Sequence, residues 1–326
     1  MNKKKLLILT PIKHIDGLFE LLSLNFNCIY LPNEPINKII NSLQDCDLVF
    51  TNPNKSKLMF NAEFFEKAPL LKAIYTASTG TDHIDINVAQ SLGIKIFSLA
   101  NEKKVINELT STAELAFTFA LMAARNVLGA IEHVRNGGWD YEEFIGRQFS
   151  SLTVGVVGFG RLGKMFANYC KAFGATVLVY DPFVEINSDY TPVNTLIDLA
   201  KAVDVISLHV HHTKETKSLV NSSFFDHCKR SINIINTSRG EIIDELALAK
   251  FLKDNTHATY YSDVLSNEIL GRNINPLMNN TLPQNQLIIT PHIGGMTTEG
   301  QKKAFYYTAN VMIHEYGKPS DKKDYL

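Results

Sequence analysis

The chain has 326 residues, 45% hydrophobic and 20% charged, with 32 basic against 33 acidic side chains for a net charge of −1. That length suits two domains of ordinary size, and the composition is globular rather than disordered. The charge balance argues against a nucleic-acid partner, no stretch approaches a membrane span, and four scattered cysteines (Cys28, Cys46, Cys170, Cys228) show neither a disulfide framework nor a zinc spacing. A soluble, reducing, cytoplasmic setting is the expectation.

The start MNKKKLLILTPIK is basic and then apolar, but the run Leu6–Leu9 is too short for a secretory signal and Pro11 ends it, so it reads as a first strand. The runs DLVF, LKAIY and IKIF follow before residue 100. Next comes STAELAFTFALMAARN, Ser111 to Asn126, a helix apolar nearly all round that is buried or packs on another subunit. VRNGGWDYEEFIGRQFSS, Val134 to Ser151, reads as loop. A second series of runs then appears: TVGVVG, TVLVY, DVISLHV, NIIN, ATYYSDV and LIIT. Near-continuous apolar strands are buried on both faces, which means parallel sheet with flanking helices. The last element, Thr297 to Tyr316, has Phe305, Ala309, Met312 and Tyr316 at helical spacing, with Thr297 or Thr298 as its cap.

The cofactor signal lies in the second series. Gly158, Gly160 and Gly163 form G-x-G-x-x-G between a strand and a helix, the context a dinucleotide-binding turn requires. Gly158 makes the turn, Gly160 lets the backbone approach a pyrophosphate, and Gly163 lets helix close on strand. Helix N-terminal amides then hold the phosphates. Asp181 ends the next strand, where a carboxylate accepts from ribose hydroxyls and repels a 2′-phosphate, so NAD rather than NADP is expected.

Three further stretches sit at strand ends, where open α/β sheets bind ligands. INTSRGEIIDELAL places Arg239, YYSDVLSNE places Asp263 and Glu268, and TPHIGG places His292 on a turn shaped by Pro291, Gly294 and Gly295. An arginine, a glutamate and a histidine at such ends can converge on one cleft.

With these residues in place, the chain resembles the NAD-dependent D-2-hydroxyacid dehydrogenases, the family of phosphoglycerate, D-lactate and glycerate dehydrogenases. The likeness covers nearly the whole chain, through STGTDHIDI, STAEL, GGWD, the glycine motif, SLHV, NTSRGEIIDE, SDVxxxE and TPHIGGMTTE in order. It implies two Rossmann-like doubly wound parallel sheets, with an NAD domain at 100–295 inserted into a flavodoxin-like substrate domain formed by 1–99 and 296–326. The chain would cross between domains near Asn101 and near Gly294–Gly295, the latter lending a hinge for closure over substrate. His292 would be the general acid–base, histidine being suited to both directions because it titrates near neutral pH. Glu268 would hydrogen-bond its far ring nitrogen, fixing the ring and complementing its charge. Arg239 would grip the substrate carboxylate and carbonyl oxygen through its planar fork. The amides of Ser78, Thr79 and Gly80 resemble the loop that binds the other side of the carboxylate. Asp263 resembles the acceptor for the nicotinamide carboxamide, Arg161 and Leu162 match the pyrophosphate turn, and Asp181 matches the ribose acid. Val210, His211, Thr216, Thr237, Ser238 and Thr112 align with positions lining the cofactor cleft. A homodimer through the NAD domain is implied, with no nucleic acid, membrane or metal partner.

The pattern is broken in places. Proline is usual where His211 stands, and the resulting HVHH, His209 to His212, invites a metal reading that lacks an acidic or cysteine partner. DVLSNEIL lacks the family's aromatic and acid after DV and its proline after the glutamate, which leaves loop shape and substrate preference open. Glu268 argues against the formate dehydrogenase branch, which uses glutamine there. The end at Leu326 leads us to expect no C-terminal regulatory domain. Lys55 and Lys57 leave a phosphorylated substrate, as in phosphoglycerate dehydrogenase, open. The alternatives are a non-catalytic NAD-sensing scaffold of the same fold and, more remotely, an S-adenosylmethionine-dependent Rossmann enzyme.

Overall fold

The computed structural model describes residues 3–53, 58–268, 275–278, 282–283 and 285–317. Lys55 and Lys57 lie outside them. The chain divides into two compact units, Met1–Leu109 with Met296–Leu326, and Thr110–Gly295.

Among the described residues the first unit has five strands: β1 (Lys5–Ile8), β2 (Asn27–Tyr30), β3 (Leu48–Thr51), β4 (Ala73–Thr76) and β5 (Lys95–Phe97). Their order is β2-β1-β3-β4-β5 with every pairing parallel, the flavodoxin-like arrangement. Alternation along the strands feeds two apolar layers. Leu6, Ile8, Leu48, Phe50 and Tyr75 meet Phe305, Ala309 and Met312 of the returning helix Thr298–Tyr316. Leu7, Val49 and Ile74 face Ile39, Phe64 and Ala89 on the other side. Each fully buried side chain of this size stabilises the fold by roughly 1.5–3 kcal/mol. Thr297 caps the returning helix by accepting from the Gly300 amide at 3.1 Å. The first unit runs on to Leu109, beyond the boundary read from sequence, because Leu99, Ile106 and Leu109 pack into this core.

The second unit contains β6 (Thr153–Val157), β7 (Thr176–Tyr180), β8 (Thr191–Pro192), β9 (Val205–Leu208), β10 (Asn233–Asn236), β11 (Thr259–Ser262) and β12 (Leu287–Ile289). Their order is β12-β11-β10-β9-β6-β7-β8, again parallel throughout the described residues. This is the Rossmann order with one strand added, and it reverses between β6 and β9, the place where such sheets bind ligands. The apolar helix Ser111–Arg125 buries Ala113, Ala116, Phe119, Ala120 and Ala124 within this unit, in the layer that holds Phe166 and Val156. Asn126 then turns left-handed (φ 47°), and a second helix, Val127–Arg135, follows that buries none of its residues. The loop expected from Val134 is therefore helical at its start and tightens into 3₁₀ turns at Glu142–Phe144 and Phe149–Ser151. Among the described residues no single helix is long and apolar enough to cross a membrane.

Candidate active site

The glycine turn fills the switch point. Gly158 has φ 89°, and a side chain there would stand 2.6 Å from the His209 carbonyl oxygen and 2.7 Å from Val210 Cγ1. A Cβ on Gly163 would overlap the Gly158 carbonyl, so the helix Arg161–Ala172 can seat on the turn only without one. Gly160 differs: a Cβ there would meet no atom of the described residues within 4 Å. Gly160 is the N-cap of that helix and offers no side-chain acceptor to its first amides. Arg161 and Leu162, half-buried, form the helix's first turn, and burial holds the Arg161 guanidinium below its usual value. Asp181 clamps the turn from the next strand: its Oδ2 accepts from Phe159 N at 2.7 Å, and its Oδ1 from Phe183 N at 2.9 Å and Val184 N at 3.2 Å.

His292 sits beyond β12 at φ 55°, a left-handed conformation disfavoured for a side chain of its size. One carboxylate holds the turn. Asp263, 1% exposed at the end of β11, takes Thr290 Oγ1 at 2.5 Å and Ile293 N at 2.7 Å on Oδ1, and Gly294 N at 2.6 Å on Oδ2. Burial pushes the Asp263 carboxyl up, with these donors working against it. The sequence reading assigned Asp263 to the nicotinamide; the structure shows both oxygens engaged by the histidine turn. His292 Nδ1 hydrogen-bonds Glu268 Oε1. Both side chains keep partial exposure, 23% for the imidazole and 30% for the carboxylate. Glu268 Oε2 accepts from Leu265 N at 3.2 Å.

Arg239 stands at the end of β10, half-buried, its Nη1 donating to Ser238 O at 2.6 Å and its carbonyl accepting from Asn236 Nδ2 at 2.9 Å. Its neighbour Gly240 presses on the Glu268 loop, where a Cβ would overlap the Ser266 amide and the Leu265 carbonyl. The Arg239 segment and the Glu268 loop are thus in backbone contact, and Glu268 is in side-chain contact with His292. The sequence reading missed Gly240, Glu241 and Glu245, which join these segments; the RGEIIDE run contained them without marking their partners.

The other predicted residues fall into groups. Ser238 Oγ donates to Leu208 O at 2.6 Å, tying β10 to β9. Among the described residues the buried Thr237 hydroxyl has no hydrogen-bond partner. Thr112 lies within 3.3 Å of the position a Gly294 Cβ would take. Val210 packs beside Gly158, whereas His211 and Thr216 lie in an outer loop where Thr216 Oγ1 donates to the His211 carbonyl at 2.6 Å. In the first unit, Ser78 Oγ donates to Gly80 O at 2.8 Å and the Ser78 carbonyl accepts from Leu99 N at 2.9 Å. This loop is thereby shaped by bonds that engage none of the Ser78, Thr79 and Gly80 amides among the described residues. His209 makes no metal cluster. Its ring packs on Phe166 at 5.0 Å and pairs with Ser207 Oγ at 2.9 Å, and burial pushes it down to about 3. Among the described residues no group of three His, Cys, Asp or Glu side chains is placed to hold a metal.

These features fit a dinucleotide. Open space over Gly160, a helix start with no side-chain cap and, among the described residues, an unpartnered buried hydroxyl at Thr237 all lie at the carboxyl ends of strands of one parallel sheet. The fold and site therefore define a dinucleotide-binding α/β protein that carries an imidazole–carboxylate pair. Residues 117–294 match the family model described as D-isomer specific 2-hydroxyacid dehydrogenase, NAD binding domain. The chain is 36% identical over 250 residues to D-3-phosphoglycerate dehydrogenase of Archaeoglobus fulgidus, covering 76% of this chain and 46% of that protein. It is 35% identical over 265 residues to glyoxylate reductase of Thermococcus litoralis, covering 77% and 76% respectively. The crystal structure of D-lactate dehydrogenase from Aquifex aeolicus, complexed with NAD and lactic acid, superposes with a TM-score of 0.80 at 28% identity, covering 95% of this chain and 94% of that one. The chain belongs to the D-isomer specific 2-hydroxyacid dehydrogenase family, and its second unit carries that family's NAD binding domain. It spans about half the length of the phosphoglycerate dehydrogenases it matches.

Proposed function

We propose that this protein is an NAD-dependent oxidoreductase that interconverts a D-2-hydroxy acid and its 2-keto acid. The observation that carries the reading is the His292–Glu268 pair, set on the same strand-end face as the glycine turn. Bound NADH supplies the hydride that adds to C2, and NAD⁺ takes it back in oxidation. His292 gives its Nε2 proton to the carbonyl oxygen as the alcohol forms, and removes it in the reverse direction. Glu268 fixes the ring and directs Nε2 outward from the pair. Arg239 binds the substrate carboxylate, where a planar fork gives orientation as well as charge. Gly158, Gly160, Arg161, Leu162 and Gly163 would hold the pyrophosphate, Asp181 the ribose, and Thr237 and Ser238 the remaining cleft wall. Glyoxylate, pyruvate, hydroxypyruvate and 3-phosphohydroxypyruvate are the acids to try first, three of them suggested by the names of the similar proteins. A panel of these acids, followed by nicotinamide absorbance with NADH and with NADPH, tests the reading. Turnover of at least one acid with a preference for NADH supports it. NADH binding with no turnover of any acid would favour the scaffold alternative.

We also propose a cytoplasmic homodimer. Four scattered cysteines without pair spacing suit a reducing compartment. The helix Ser111–Arg125, where the sequence placed a subunit contact, gives one face to the core of its own unit and leaves Glu114, Thr118 and Arg125 exposed. The helix Val127–Arg135 has no fully buried residue, and Ile131 and Val134 with Trp139 (89% exposed), Tyr141 and Ile145 present large apolar side chains that a partner copy would cover. Sedimentation of Trp139→Ser beside the wild type should show dissociation of a dimer; a monomeric wild type would contradict it.

A further inference from the structure

Glu268 is useful only if its loop stays where His292 can reach it. That loop is held by three carboxylates on three consecutive amides. Leu265 N donates to Glu268 itself at 3.2 Å, Ser266 N to Glu245 Oε1 at 2.9 Å, and Asn267 N to Glu241 Oε1 at 2.9 Å. Asn267 is left-handed at φ 56°, so the three amides belong to a tight turn. Glu245 is only 5% exposed, a rare state for a glutamate. Its Oε2 accepts from Asn275 Nδ2 at 2.6 Å. Asn275, also buried, donates to Ser266 O at 3.3 Å and accepts from Leu277 N at 2.9 Å. Glu245 is not needed as a cap: Asp244 already accepts from Ala247 N at 3.1 Å at the start of the helix Glu245–Asp254.

We propose that Glu245, working with Asn275, is a positioning residue that fixes the Ser266 peptide and thereby sets the meeting point of Glu268 and His292 against the Arg239 segment. The proposal rests on reading His292 and Glu268 as the proton-transfer pair. Glu245 enters the site from the same stretch as Arg239, so one short segment places both the carboxylate grip and the loop that orients the acid. Gly240, pressed on Ser266, leaves no slack between them.

The test compares Glu245→Ala, Glu245→Gln, Asn275→Asp and the double variant Glu245→Gln with Asn275→Asp. An ångström of displacement at a proton-transfer group costs up to about 100-fold in rate, so kcat for the best 2-keto acid should fall on the order of 10- to 100-fold in Glu245→Ala. KM and NADH affinity should hold, since Arg239 and the glycine turn are untouched. In Glu245→Gln two donors face each other across the Asn275 contact; Asn275→Asp restores a donor–acceptor pair there while giving up the longer bond to Ser266 O, so the double variant should regain part, not all, of the lost kcat. Hydrogen exchange in the cofactor-free protein gives a readout that does not need turnover: the Ser266 amide should lose protection in Glu245→Ala. Wild-type kcat with unchanged Ser266 protection in Glu245→Ala overturns the proposal. A loss in the single variants that the double variant deepens rather than relieves also overturns it. A wild-type protein silent on every 2-keto acid instead overturns the reading beneath it, while exchange at Ser266 still reports on the clamp.

Discussion

Asp263 offers the sharpest test of how the His292 turn is built. In Asp263→Asn one carboxylate oxygen becomes a donor with almost no change of shape. Oδ1 takes Thr290 Oγ1 and Ile293 N, and Oδ2 takes Gly294 N. The threonine hydroxyl can reverse its bond, but a main-chain amide cannot. Whichever way the new amide sits, the N–H of Ile293 or of Gly294 faces a donor. A buried amide left without an acceptor costs about 1–3 kcal/mol. For a unit the size of Thr110–Gly295 each kcal/mol lowers Tm by about 2–4 °C, so a fall on the order of 2–12 °C is expected. His292 depends on this turn for its left-handed backbone, so kcat should fall as well. Calorimetry on the cofactor-free protein is the assay, because any contact of Asp263 with the nicotinamide is then out of play. If Tm and kcat stay at wild-type values and only NADH affinity weakens, Asp263 serves the cofactor alone and the turn-holding account is wrong.

The glycine motif should split in two. Gly160→Ala, at a backbone conformation alanine can adopt and with open space around the new methyl, should leave cofactor-free stability unchanged or raise it by about 0.4–1 kcal/mol while weakening NADH binding at least tenfold in titration. Gly163→Ala should instead lower stability by about 1–3 kcal/mol before any cofactor is added, because the methyl collides with the Gly158 carbonyl. Equal behaviour of the two variants would contradict the assigned roles. Asp204 gives a pH test. Burial pushes its carboxyl up, but Lys229, the Thr153 amide and Arg147 together hold it below the usual carboxylate range. Its contribution is therefore present above the unfolded value of about 4 and is lost as pH falls through the folded value. Asp204→Asn should melt below wild type at neutral pH, with the gap closing in acid; a gap that widens in acid would refute the assignment.

Much of this was legible in the sequence because it is written in local signals. Apolar runs announced the interior strands, since a parallel strand covered on both faces has no polar positions to disguise it. Two of the four edge strands escaped, while IKIF and LIIT announced the other two. The run CIYL at Cys28–Leu31 carries Asn27–Tyr30 and was passed over, whereas Thr191–Pro192 is two exposed residues with a proline and makes no apolar run. Val127–Arg135 was passed over although Val127, Leu128, Ala130, Ile131 and Val134 recur at helical spacing, because no side-chain cap marks its start and Asn126 ends the preceding helix in a left-handed turn. In the site, Glu268 and His292 stood out by spacing and turn chemistry. Glu245 did not, because an acid in the first turn of a helix reads as a favourable partner for the helix dipole and nothing more. Its hydrogen bonds run to Ser266 and Asn275, twenty-one and thirty residues along the chain, and only the folded sheet brings them together.

The central claim is that His292 carries the proton while other residues hold the dinucleotide. The direct measurement is kcat and NADH dissociation constant, side by side, for the wild type and His292→Ala on the best substrate of the keto-acid panel. The account predicts a loss of kcat on the order of 100-fold or more, with NADH bound as tightly as by the wild type. Turnover by His292→Ala at the wild-type rate, with NADH equally bound, would contradict it.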